Sequence, residues 1–407
     1  MRFIVAVAVM FLAFSCTKQE VKTGRWRAEL EIQGELLPFN MEVTKDEQGG
    51  LDVFLLNAGE RLLLDEVQTE GDSLFATLHI FDASLRARIN GDNMQGSFVR
   101  NYLPGDPIPF HAEFGKSDRF IRQGQSGTTD YTGKYRVLFT SDKDTTVAVG
   151  VFEQQGDSVT ATFLTPTGDY RYIQGNVIND SLYMSTFDGN HAYLFMAAKT
   201  GSDTVAGLFL SGKAGRETWI AVRDEKAALP DASSLTFLKP GYEKLDFKFR
   251  DANGDSVSVN DARFQNKVII VQLLGTWCPN CMDETRFLAP WYRDNKNRGV
   301  EIIGLAYERK DDFAYASERV KKMIEKMAVE YPVLIAGVND KIKAAETLPA
   351  LNKVVAFPTT IFIGKDGKVA KIHTGFSGPG TGKYYQEFIE EFNQTVNELL
   401  TVKNTLP

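Results

Sequence analysis

Apolar and polar positions alternate with a period of two through the first half of the chain, then give way to longer apolar runs and helical spacing in the second. From Gly24 to about Arg223 the alternating runs are short and broken by Gly, Asp and Asn. Arg25-Trp26-Arg27-Ala28-Glu29-Leu30-Glu31-Ile32, Ser97-Phe98-Val99-Arg100 and Val147-Ala148-Val149-Gly150-Val151 are examples. Such runs, separated by turn signals every ten residues or so, predict antiparallel β-structure.

This β-rich half repeats itself weakly. Gly24-Arg25-Trp26-Arg27 matches Gly133-Lys134-Tyr135-Arg136, Asp72-Ser73-Leu74-Phe75 matches Asp180-Ser181-Leu182-Tyr183, and Gly96-Ser97-Phe98 matches Gly207-Leu208-Phe209. The offset is about 110 residues each time, the mark of a duplicated unit. The expectation is two related β-modules over residues 24–116 and 132–226, each a meander or small barrel. They would be joined by the Gly-, Ser-, Thr- and Gln-rich stretch from Lys116 to Thr132. Trp26, Tyr135, Tyr172, Tyr183 and Trp219 fall at strand positions and read as core or cross-strand partners, with a shallow aromatic groove as the other reading. His79, His111 and His191 stand isolated, with no metal-ligand spacing around them.

Residues 227–240, with Pro230, Ser233, Ser234 and Pro240, read as a linker. Beyond it the period changes. Leu245 to Val259 carries two short alternating runs around Asp251-Ala252-Asn253-Gly254-Asp255, a hairpin turn rather than a calcium loop because the downstream Glu is missing. Val268 to Leu274 is nearly all apolar, as in a strand covered on both faces. Helical character then runs to about Arg298, with Pro290 expected to kink or interrupt it. Gly299 to Ala306 reads as a second buried strand, Ser317 to Glu330 as an amphipathic helix carrying Val320, Met323, Ile324 and Met327, and Tyr331 to Ile335 as a strand. Asp340 to Leu348 should be a short helix, Thr359 to Val369 a hairpin turning at Lys365-Asp366-Gly367-Lys368, and Gly382 to Leu400 a long closing helix. Alternating βα units closed by an antiparallel hairpin predict an α/β domain over residues 241–407, so the fold class is multi-domain: an all-β half followed by an α/β domain.

At 407 residues, two or three cores are expected. A net charge of -7 without a basic run argues against nucleic acid and acidic lipid headgroups as partners. The N-terminus adds a compartment. Arg2 precedes an unbroken apolar run from Phe3 to Phe14, too short to span a bilayer and suited to a signal peptide over residues 1–15. It ends at Leu12-Ala13-Phe14-Ser15-Cys16, which resembles the lipobox of bacterial lipoproteins. That resemblance implies lipid on Cys16, a tether over residues 16–23, and a cell-envelope location facing the periplasm or on the outer membrane. A plain secretory signal with an incidental Cys is the other reading. With Cys16 set aside, only two of the 3 cysteines remain, Cys278 and Cys281. An exported protein with one lone C-x-x-C suits disulfide chemistry better than a stapled scaffold.

Those two thiols follow the buried Val268–Leu274 run. A helix starting there puts Cys278 at its N-terminus, where unpaired amides favour a thiolate and predict a lowered thiol pKa. Cys281 is one turn on, close enough for a small disulfide ring, and Glu284 is another turn along roughly the same stripe. A buried carboxyl there could take and return the Cys281 proton. A C-x-x-C can also be half of a zinc site, but there is no second Cys pair and only four His, so no metal is expected. A purely structural ring this short would stabilise little.

Trp277-Cys278-Pro279-Asn280-Cys281-Met282-Asp283-Glu284, with Phe357-Pro358-Thr359-Thr360 some way downstream, resembles the thioredoxin superfamily, and within it the TlpA/ResA-like branch of exported thiol-disulfide oxidoreductases. The resemblance covers Leu245 to the C-terminus. It implies that Cys278 attacks, Cys281 resolves, Glu284 serves Cys281, and Pro358 is a cis-proline facing the pair. It also implies that Trp277, Phe357 and Thr359 contact the client. No cofactor beyond the Cys278–Cys281 couple is implied; the partners would be protein disulfide or thiol clients and an electron donor. Asn280 departs from the Pro common at its position. The expected activity is disulfide reduction on envelope proteins, in the redox-keeping, antioxidant sense. Two other readings stay open. One is a thiol peroxidase, although the Thr usual three residues before the reactive Cys is Gly275 here. The other is a binding lipoprotein whose β-modules carry the main function.

Overall fold

The computed structural model describes residues 20–120 and 127–402. The signal peptide, Cys16 and the first part of the tether lie outside the described residues, as does the middle of the join between the β-modules.

The alternating half forms two nine-stranded antiparallel sheets. The first runs from the Gly24–Ile32 strand to Ile108–Phe114, the second from Gly133–Thr140 to Gly215–Arg223. In the second, Thr145–Gln155 pairs with both Gly133–Thr140 and Ser158–Thr165, which closes the sheet into a barrel. Its interior is filled with aromatic side chains. Phe195 stacks on Phe209 at 4.5 Å, and Phe163 and Trp219 meet edge-on at 5.6 Å. The first sheet instead ends at Glu60–Leu63 on one side and Glu66–Glu70 on the other, and stays open. Phe187 of the second module packs into its core, 4.8 Å from Phe39 and 5.0 Å from Phe98.

The repeated residues occupy matching places. Gly24 and Gly133 open the first strand of each sheet at φ of 128° and 137°, and Trp26 and Tyr135 two residues on are buried. At Gly96 a Cβ would lie 1.9 Å from the Arg86 carbonyl oxygen, and at Gly207 2.2 Å from that of Met196. Each glycine therefore marks where neighbouring strands approach too closely for a side chain. Trp219 is also core, whereas Tyr172 and Tyr183 are only half-buried. The histidines are not isolated in space. Nε2 of His79 lies 2.8 Å from Glu66, Nδ1 of His191 lies 3.0 Å from Asp188, and His111 faces Glu113 at 3.6 Å. Glu113 lies two residues on along the same strand and Asp188 three residues before His191, so only Glu66 is brought to its histidine by strand pairing.

Arg119, just before the undescribed stretch, is buried between the modules. Its guanidinium donates to the Pro38 carbonyl, Ser185 Oγ, Gln174 Oε1 and Asn57 Oδ1. These acceptors come from both modules, so the join is pinned on its first side.

The last part of the chain is a seven-stranded sheet in the order Ser256–Ser258, Lys248–Asp251, Val333–Val338, Val300–Glu308, Val268–Leu274, Thr359–Ile363, Val369–Thr374. Val268–Leu274 is central and wholly buried, parallel to Val300–Glu308 and antiparallel to Thr359–Ile363. The helices are α1 (Pro279–Asn295), α2 (Phe313–Met327), α3 (Lys341–Thr347) and α4 (Lys383–Thr401). α1 runs on through Pro290, so of the expected kink or interruption the interruption does not occur. It sits on the exposed side, where the carbonyl deprived of a helical donor can bond water instead. Asp251 caps its hairpin turn through the Asn253 and Asp255 amides, as a turn residue does. Residues 227–240 lie along the domain: Leu238 bridges Leu351, and the Lys239 amide donates to the Ala350 carbonyl at 2.8 Å.

The α/β domain is fastened to the first module by α2. Tyr315 Oη donates to Asp82 at 2.9 Å, Arg319 to the His79 carbonyl at 2.7 Å, and Lys326 pairs with Asp65 at 2.5 Å. These residues recur at helical spacing, so one stripe of α2 faces the module while Ala316, Val320 and Met323 are buried.

Candidate active site

The turn between the central strand and α1 is built tightly. A Cβ on Gly275 would meet Trp277 Nε1 at 2.2 Å, so only glycine lets the indole fold back there. The indole donates to the Tyr307 carbonyl at 2.8 Å, and its ring meets Phe357 edge-on at 5.9 Å. The Thr276 amide and hydroxyl both donate to buried Glu308, at 2.9 and 2.8 Å. Burial raises the Glu308 pKa, and the Thr276 bonds work against that rise.

Cys278 is the N-cap of α1. Its Sγ accepts the Cys281 amide at 3.3 Å and donates to the Phe357 carbonyl at 3.4 Å. The Phe357–Pro358 peptide is cis, which brings that carbonyl to the sulfur. Both cysteines are free thiols. Cys278 is 6% exposed and Cys281 0%. Burial, then the neighbouring Cys278, pushes the Cys281 thiol well above its ordinary value.

Glu284 lies beneath the pair. Gln272 and Thr360 stand opposite each other in the strand register, so both side chains reach one face of the sheet. Gln272 Nε2 donates to one Glu284 oxygen at 2.7 Å and Thr360 Oγ1 to the other at 2.6 Å. Burial nevertheless pushes the carboxyl up to about 7, and its charge in turn raises Cys281. Thr359 is fully buried, with its hydroxyl on the Ala356 carbonyl at 2.8 Å. The domain thus brings Trp277, Cys278, Cys281, Glu284, Phe357 and Pro358 together, with Thr359 one strand position inward.

Sequence reasoning missed several neighbours. Gln272 had a signal, since a lone amide in an apolar strand must find partners. Those from the β-half had none. Arg171 is wholly buried against α1: its Nε donates to Asp283 at 2.7 Å, Nη1 to Asp188 at 2.9 Å and Nη2 to Glu60 at 2.5 Å. Burial opposes the Arg171 charge, but Asp283, Glu60 and Asp188 outweigh it. Burial likewise opposes ionisation of Asp188, yet His191 and Arg171 hold its pKa well below the usual range. Asp169 accepts from the Asn280 amide group at 3.2 Å and the Gly378 amide at 2.6 Å, and burial pushes it up to about 6. Half-buried Tyr193 has its hydroxyl pKa raised by burial first, with Cys278 among the lesser causes. No group of three or more metal-ligating side chains is found among the described residues.

Residues 228–387 match the Redoxin family model. The thiol-disulfide oxidoreductase ResA of Halalkalibacterium halodurans is 26% identical over 152 residues, covering 37% of this chain and 76% of the relative. ResA of Bacillus subtilis is 26% identical over 138 residues, covering 34% and 69%. Among solved structures, a thioredoxin-family thiol:disulfide interchange protein from Chlorobium tepidum shares 21% identity over 39% of this chain and 95% of its own, with a TM-score of 0.30. The thioredoxin domain of a Bacteroides vulgatus thiol-disulfide oxidoreductase shares 25% over 38% and 99%, with a TM-score of 0.28. Over residues 228–387 this chain is similar to redoxin-family, thioredoxin-like domains, and with its paired thiols the protein is an oxidoreductase.

Proposed function

We propose that this protein is a disulfide reductase of the cell envelope, with domains at 24–116, 132–226 and 241–407. One observation carries the reading: Cys278 Sγ, at the N-cap of α1, accepts the Cys281 amide, with the Cys281 thiol and the buried Glu284 carboxyl one and two turns further along the helix. The Cys278 thiolate attacks one sulfur of a client disulfide, and the other client sulfur leaves as a thiolate and takes up a proton. Glu284 accepts the Cys281 proton. The Cys281 thiolate then attacks Cys278, the mixed disulfide breaks, and the second client sulfur leaves and is protonated. Two electrons pass to the client, and Cys278–Cys281 ends as a disulfide. A dithiol donor of the envelope restores it. Trp277 and Phe357 frame the sulfur that the client approaches, Pro358 presents the Phe357 backbone to it, and Thr359 supports that strand from within.

Gly275 supports reduction over peroxide chemistry. A threonine side chain at that position would collide with Trp277. The envelope location rests on the apolar Phe3–Phe14 run and on Cys16 as the lipid-bearing residue. Reduction of insulin disulfides by the full chain is the test: it is expected to vanish in Cys278→Ser, and its survival would overturn the assignment. A midpoint potential near that of thioredoxin, about -270 mV, is expected; one near -120 mV would mean an oxidant instead. Stopped-flow peroxide consumption at rates above those of a free thiol would favour the peroxidase.

A further inference from the structure

A thiol that attacks other proteins' disulfides needs room for them, yet Cys278 is 6% exposed and Asn280 beside it 7%. Against Asn280 lies the loop over residues 165–172 of the second β-module, which leads into its Ile173–Ile178 strand, and Tyr193 of the same module is close enough to Cys278 for that sulfur's charge to act on its hydroxyl. Asn280 Nδ2 donates to the Asp169 carbonyl at 3.1 Å and to its carboxyl at 3.2 Å. A Cβ on Gly168 would lie 3.1 Å from Asn280 Nδ2. On the other side the loop backbone rests on two glycines of the redox domain. A Cβ at Gly375 would lie 3.1 Å from the Pro166 oxygen, and one at Gly380 2.8 Å from the Arg171 carbonyl carbon. Arg171 then forks onto Asp283, two residues after Cys281, while Asp188 and Glu60 hold its other nitrogens. A second tie lies beyond Trp277, where Arg309 donates to Asn190 at 2.8 Å and stacks on Tyr102 at 3.8 Å.

The chemistry of these ties suits a contact that opens. Buried ion pairs regain water on both sides when separated and add little net stability, so these ties can open while the apolar packing of Val149 and Leu164 against Tyr384 keeps the module in place. We propose that the 165–172 loop is a specificity element of the redox site: fastened by Arg171 and Asp169, it keeps folded protein disulfides from Cys278 until the loop lifts from α1, while small disulfides need only local motion. This rests on the redox reading above and assigns the β-half its part in it. Arg171 and Asp169 touch neither sulfur; they act through Asp283 and Asn280 as positioning residues. Discrimination by size, which the redox domain alone does not supply, comes from the docked module.

The test uses the full chain and two readouts. In the first, alkylation of Cys278 is followed by peptide mass spectrometry with iodoacetamide and with a maleimide on a long polyethylene glycol. With the bulky reagent the wild-type rate is expected to level off as reagent is raised, because lifting becomes limiting; a rate that stays linear and equals that of a free cysteine peptide would overturn the proposal. In the second, insulin reduction is compared with hydroxyethyl disulfide reduction. The ratio of the two rates is expected to rise at least tenfold in Arg171→Met, because three buried carboxylates lose the cation that holds them in the docked state. An unchanged ratio in a folded Arg171→Met protein would also overturn it. The wild-type labelling needs no variant to fold, and it reads the cover even if neither disulfide is reduced, an outcome that would instead defeat the redox reading.

Discussion

Glu284 has two neutral donors, Gln272 and Thr360, set against complete burial, and burial wins by lifting its pKa from 4.5 to about 7. The folded protein therefore holds that proton more tightly than the unfolded chain. The stabilisation is fully present below about pH 4.5 and is lost as pH rises through about 7. Glu284→Gln keeps the shape and stays neutral. It is expected to be more stable than the parent by up to about 3 kcal/mol above the folded pKa, and close to it in acid, as read from urea unfolding at the two pH values. The same change should slow the release of a trapped mixed disulfide by about 10²-fold, the usual worth of a positioned base, while formation of that adduct at Cys278 changes far less. Cys278, Cys281 and Glu284 could be found by spacing alone because the helical turn places them. Thr360 could not be singled out from Thr359: the inward hydroxyl that bonds Glu284 depends on pairing with Gln272, with two strands and three α-helices between them in the sequence.

At the level of strands and helices, the period of two and the change to βα runs were legible because each element buries a face that its own sequence must pay for in apolar residues. The duplicated glycines were legible too, though their reason was not. Gly96 and Gly207 face the carbonyls of Arg86 and Met196 across a hairpin, backbone against backbone, with nothing flexible to yield. Gly207→Ala is expected to lower the stability of the second module by about 2 kcal/mol or more, and Gly96→Ala that of the first by a similar amount, measured as shifts of the urea midpoint. Surface substitutions on the same strands should move it little. Pro290 leaves α1 unbroken because a proline's cost depends on what its i−4 carbonyl can reach, and exposure is a property of the folded chain.

For the molecule as a whole, how the three domains meet is not legible along the chain. Arg171 lies beside Tyr172 in the alternating half, and nothing around it marks partners as distant as Glu60 and Asp283; nothing marks Phe187 as filling another module. In space, Phe187 fills the open first module from the second. Phe187→Ala is expected to cost about 3–5 kcal/mol, and to make the first module's strands susceptible to limited proteolysis at lower denaturant than in the parent. Arg171 has a different consequence, for anyone who recombines these parts. Glu60, Asp188 and Asp283 come from three separate stretches of chain and share one guanidinium. A chimaera that seats this redox domain on another β-half would leave Asp283 dry with only Arg286 beside it, at several kcal/mol. The arginine has to travel with the helix it grips.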